Sequence, residues 1–128
     1  MSRDLILLFA DPVEPDEFLD LVEELGGVRR PDEWTGGRLS RGDDHVQVSV
    51  APDGGFAPDD EYYALYELWL GAPMQAWALL ALSTSAGSQA LGLELIEAAA
   101  RRWRTVVDDN HGELYTVDEW RALVTARP

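Results

Sequence analysis

Leu39-Ser40-Arg41-Gly42-Asp43-Asp44-His45-Val46-Gln47-Val48-Ser49-Val50 is the stretch on which the fold turns. Val46, Val48 and Val50 alternate with polar residues, the period-2 pattern of a strand with one face on a core and the other toward water. Gly42, Asp43 and Asp44 carry turn chemistry, so residues 39–41 and 45–50 read as two strands of a hairpin. A hairpin pairs antiparallel, and a strand polar on one face belongs to a sheet that need be covered only on the other.

Upstream, Leu5-Ile6-Leu7-Leu8-Phe9 is a continuous apolar run closed by Asp11-Pro12, which reads as a buried strand. Phe18, Leu21, Val22 and Leu25 recur at i, i+3, i+4 and i+7 and predict a helix over 15–25, stopped by Gly26-Gly27. Downstream, turn residues at 52–55 and 58–60 bracket a loop before a helix over 61–70. Its expected apolar stripe is Tyr62, Tyr66, Trp69 and Leu70, and Gly71 ends it. Residues 77–82 read as a central strand. Ser85 or Ser88 caps the next helix, which is expected to run to about Trp103 with Leu91, Leu95, Ile96, Ala99 and Trp103 facing the core. Thr105-Val106-Val107 reads as a short strand, Asp108-Asp109-Asn110-His111-Gly112 as a turn and Leu114-Tyr115 as a returning strand. Thr116-Val117-Asp118-Glu119 is a capping box that opens a last helix through Val124. The order βα-ββ-α-β-α-β(β)-α predicts an α+β fold, helices laid on a mostly antiparallel sheet. With no repeat or dividing linker, residues 1–128 read as a single domain.

Composition narrows the class of partner. Twenty-four acids against ten arginines, with no lysine, give a net charge of −14, beyond the magnitude of about 2–8 typical of a small domain. The excess is uneven: residues 1–67 hold 17 acids and five arginines, net −12, and residues 68–128 hold seven acids and five arginines, net −2. Such a charge repels nucleic acid and membrane surfaces and attracts basic partners. An apolar fraction of 46% with five tryptophans marks a globular chain rather than a disordered acidic tail. The absence of cysteine excludes disulfides and thiolate chemistry. No signal peptide or membrane-spanning segment is read, so the expectation is a cytoplasmic protein.

The first predicted helix concentrates the charge. Asp16, Glu17, Asp20, Glu23 and Glu24 lie opposite its apolar stripe, with no basic residue among them. The like-charged pairs 16/20 and 20/24 each cost about 0.2–0.5 kcal/mol in an isolated helix. Two readings follow: a solvated face, or a carboxylate array that docks on a basic surface. Asp32, Glu33, Asp43 and Asp44 extend that array if their loops fold to the same side, as do Asp59, Asp60 and Glu61. Trp34, claimed by no apolar periodicity, is the candidate anchor, because affinity at such a surface comes from buried aromatics; burial in the core is the other reading of it.

Sites for chemistry are sparse. His45 follows Asp43-Asp44, and His111 follows Asp108-Asp109-Asn110. Brought together, His45, His111, Asp108 and Asp109 would suit an open transition-metal site, although their spacing matches no metal motif and each segment reads equally as a turn. The chain carries no phosphate-cradling glycine loop, dinucleotide fingerprint, nucleophile elbow or zinc-protease helix. No cofactor is expected. Arg101, Arg102 and Arg104 are too few to outweigh −14 for nucleic-acid binding.

Gly87-Ser88 opening an alanine- and leucine-rich helix, then Arg102-Trp103, Val106-Val107-Asp108-Asp109, Gly112 and Leu114-Tyr115-Thr116, resembles small bacterial proteins of the polymorphic-toxin immunity type. That resemblance covers about a third of the chain and implies a protein that binds and blocks a cognate toxin, with no catalysis of its own. It carries no interface residue. Charge and resemblance together give the expectation of an acidic protein-binding module that neutralises a basic partner. The alternative is a small metal-dependent enzyme or ligand-binding domain centred on His45 and His111.

Overall fold

The computed structural model describes residues 2–31, 35–51 and 60–126. Its elements run β1 (Ser2–Phe9), α1 (Pro15–Glu24), β2 (Val28–Arg29), β3 (Gly36–Arg41), β4 (Asp44–Ala51), α2 (Asp60–Leu70), β5 (Ala76–Ser83), α3 (Ala86–Ala100), β6 (Thr105–Asp108), β7 (Leu114–Thr116) and α4 (Val117–Thr125). The strands make one sheet in the order β2-β3-β4-β5-β1-β6-β7, antiparallel at every pairing. The α+β expectation is met, with β2 added to the predicted order.

The hairpin at the centre of the sequence reading forms as expected. Arg41 pairs with Asp44 across a two-residue Gly42-Asp43 turn, one residue shorter than the sequence implied. Gly42 has φ +64°, the positive value that a type II′ turn requires at its first central position. Val46, Val48 and Val50 bury on one face of β4, and β5 supplies Ala76, Ala78, Leu80 and Leu82 to the same core. From Leu5 to Phe9, β1 is continuously apolar because this half lies between β5 and β6 and is covered on both faces. Leu5, Leu7 and Phe9 join the larger core with α1, α3 and α4, whereas Ile6 and Leu8 meet Tyr66 and Leu70 of α2 on the opposite side. Among the described residues, three helices therefore share one face of the sheet, and α2 is the helix on the other.

Two helical expectations need correction. The third helix ends at Ala100 rather than near Trp103. Trp103 keeps one helical bond, its N–H to the Ala99 carbonyl at 2.8 Å, and faces the core as the stripe predicted, stacking on Phe18 at 6.0 Å and meeting Phe9 edge-on at 5.8 Å. In α2, Tyr66 and Leu70 are buried as the stripe predicted, but Tyr62 is 48% exposed. Only about one helical face reaches the sheet, and Tyr62 lies a turn before its contact. Gly71, at φ +77°, takes the left-handed conformation that ends α2.

Candidate functional site

α1 presents the acidic face the sequence placed there, but the tertiary structure brings cations to it. β2 lies beside β3 at the sheet edge next to α1, so Arg29 reaches across the helix surface. Its Nη1 meets Asp16 Oδ1 at 2.9 Å and its Nε meets Glu23 Oε1 at 2.8 Å, while its Nη2 bonds Asp20 Oδ1 and, at 3.3 Å, the Asp16 carbonyl. These carboxylate bonds raise the Arg29 pKa above its ordinary value. Arg102, at the end of α3, pairs with Glu24. Glu17 accepts the Glu14 N–H at 3.2 Å and so completes the helix N-terminus. The repulsions expected between 16 and 20 and between 20 and 24 are relieved by residues distant in sequence. Five carboxylates and two guanidiniums still leave this face three charges negative.

The candidate extensions of the array divide. Asp32, Glu33, Trp34 and Asp59 lie outside the described residues. Asp43 is exposed in the hairpin turn. Asp44 is half-buried and turned toward the start of α3, where Ser85 Oγ donates to its Oδ1 at 3.1 Å and a Cβ at Gly87 would collide with it. α3 has no acid in its first turn, and Asp44 supplies that anion from β4. Ser85 caps α3, accepting the Ser88 N–H at 3.2 Å, and Ser88 Oγ, fully buried, accepts from Ser83 Oγ at 2.7 Å and from the His45 N–H at 3.3 Å.

His45 and His111 do not come together. His45 is on β4 and His111 is in the turn after β6, with β5 and β1 between. Three inter-strand steps separate their backbones by roughly 14 Å. Among the described residues no three His, Asp or Glu side chains group as a metal ion would require. Asp108 and Asp109 are nearly buried, and their oxygens serve the hairpin. Asp108 accepts the Asn110 N–H at 2.8 Å and the Tyr66 hydroxyl at 3.1 Å. Asp109 accepts the His111 and Glu113 N–H groups at 2.8 and 3.2 Å and the Tyr115 hydroxyl at 3.4 Å. Burial, with the neighbouring aspartate second, pushes both tyrosine hydroxyls above their ordinary pKa.

Comparison with protein-family models, with curated proteins and with solved structures finds no match. The residues that carry the immunity-protein resemblance have structural work here: Ser88 ties β4 to α3, Trp103 fills the aromatic cluster, and Asp108 and Asp109 hold the β6–β7 turn. No described helix is long and apolar enough to cross a membrane.

One surface escaped the sequence reading. The outward side of α2 exposes Leu68 at 78%, with Tyr62, Tyr63 and Leu65 also exposed. A shallow cleft of about 480 Å³ runs beside it, lined by Ala64, Glu67, Leu68, Gly71, Ala72 and Pro73. The signal was present in the composition: eight of the eleven residues of α2 are apolar and the other three are acidic, too many apolar groups for one buried stripe.

Proposed function

We propose that this chain is an acidic protein-binding module that occupies a basic partner, in the manner of an immunity protein blocking its toxin. The observation that carries this reading is the net charge of −14, which internal pairing does not disperse. Among the described residues, Arg29, Arg41, Arg102 and Arg121 are each spent on carboxylates of the same chain, and the excess of acids remains on the surface. Such a field draws in a basic protein and sets its orientation before contact. The charged and hydrogen-bonding groups gathered at Asp44, Ser85 and Ser88, and at Asp108 and Asp109, are engaged in holding the fold, which supports a binding role over a catalytic one.

The test is capture from native lysate on the immobilised protein at about 50 and 200 mM salt, where screening lengths differ about twofold. The expected result is one basic protein, retained at low salt, weakened at high salt and blocked in its own activity by the complex. Capture of nothing, or of neutral and acidic proteins without salt dependence, would overturn the reading.

A further inference from the structure

We infer that the basic partner docks on the outward face of α2, through an amphipathic segment whose apolar side chains are flanked by arginine or lysine. This rests on the reading that the partner is basic. Leu68 is two residues from Tyr66 and two from Leu70, the buried contacts of α2, which at 100° per residue sets it about 200° from each. It is therefore at the centre of the solvent side. Leu65 continues the apolar surface along the helix, and Ala64, Ala72 and Pro73 line the cleft beside Leu68. The fold gains nothing from a leucine that is 78% exposed, and a charged residue would form the helix as well. A partner that covers it does gain.

Charge decides what that partner is. α2 carries Asp60, Glu61 and Glu67 and no cation, and neither Glu61 nor Glu67 is held in an ion pair among the described residues. The Arg104 guanidinium lies beside Gly71, at the C-terminal end where a cation suits the helix dipole. The contrast with α1 is direct. The α1 carboxylates have Arg29 and Arg102 against them, and the apolar residues Phe18, Leu19, Leu21 and Val22 of that helix are all buried, whereas α2 joins acids with no ion pair among the described residues to exposed apolar groups. Anchors of this kind supply affinity, and the surrounding charge supplies rate and selectivity. A second copy of the chain would set Glu61 and Glu67 in the field of another −14 molecule, so self-pairing is disfavoured.

The test uses three fluorescein-labelled synthetic peptides about four helical turns long. One carries leucine and tryptophan on one face and arginine on the other; the second replaces arginine with glutamate, and the third replaces the apolar residues with serine. Anisotropy titrations compare the unaltered protein with Leu65→Gln/Leu68→Gln, Glu61→Gln/Glu67→Gln and, on α1, Asp20→Asn/Glu24→Gln, each checked for native circular dichroism. The expected result is binding of the arginine–leucine peptide about tenfold tighter than either other peptide, reduced about tenfold by either α2 variant and unchanged by the α1 variant. Loss with the α1 variant and not with the α2 variants overturns the docking site while the basic-partner reading stands. Equal binding of the glutamate peptide, or no binding of the arginine peptide, removes charge complementarity and with it both. A concentration-dependent dimer in sedimentation equilibrium, dispersed by Leu68→Gln, overturns the site in favour of a second copy.

Discussion

The Tyr66 hydroxyl donates to Asp108 Oδ2 at 3.1 Å, and this bond joins α2 to the end of β6 on the face of the sheet that no other described helix covers. Both groups are nearly buried, Tyr66 at 2% and Asp108 at 8% exposure. The helix that carries the proposed docking surface is thus held by a polar bond as well as by Tyr66 and Leu70 packing on Ile6, Leu8 and Val106.

Removing the hydroxyl with Tyr66→Phe leaves a buried carboxylate oxygen short of a donor, which costs about 1–3 kcal/mol. Urea unfolding measures the loss as a lower midpoint. Hydrogen exchange locates it, because α2 amides should lose protection before those of β4 and β5.

The same bond makes stability sensitive to alkali. Burial, and after it the charge of Asp108, raises the Tyr66 pKa above its ordinary value of 10.0, so the folded protein holds the phenol proton more tightly than the unfolded chain. That contribution is complete below pH 10 and is lost as the pH rises above it toward the folded pKa. Unfolding midpoints measured from pH 8 upward should fall in the unaltered protein above about pH 10 and fall less steeply in Tyr66→Phe. Parallel curves for the two proteins would contradict the assignment.

Arg29→Ala should lower the melting temperature by leaving Asp16, Asp20 and Glu23 to repel one another along about two turns of α1. The three carboxylates are exposed and Arg29 is only half-buried, so the difference should shrink as salt is raised. Melting curves at low and high ionic strength give the comparison, and a salt-independent difference would mean that Arg29 acts through packing of its stem.

Gly87→Ala should change sign with its neighbour. In the unaltered chain the new Cβ displaces the Asp44 carboxylate from the start of α3 and breaks its bond to Ser85, at a cost of about 0.5–2 kcal/mol. With Asp44→Ala already in place, the same change should be neutral or stabilising by up to about 1 kcal/mol, since alanine favours helix over glycine. A double-mutant cycle in urea separates the two, and additive effects would show that Asp44 and Gly87 do not interact.

The local grammar of the chain was legible because each signal acts over a few residues. Alternating valines in 46–50, the turn at Gly42, the i, i+4 stripe of α3 and the capping box at Thr116 each specify backbone geometry without help from elsewhere. β2 was not legible: two residues are too short for a period, and Val28 is 61% exposed. The candidate site divides in the same way. The acids of α1 were readable as a face, but their partners Arg29 and Arg102 lie as far as 78 residues away in the chain. Asp44 reads as a free loop carboxylate until α3 is placed against it.

Composition and periodicity by themselves determined an acidic α+β chain with antiparallel strands, because hydrophobic period, turn chemistry and net charge are properties of neighbours and of sums. The tertiary structure decided that β1 lies between β5 and β6, that two arginines pair with acids of α1, and that α2 packs on the face of the sheet opposite the other described helices with Leu68 turned to solvent. Strand order and ion pairing depend on which distant segments meet, and an apolar residue is the same letter in the sequence whether a sheet covers it or a partner must.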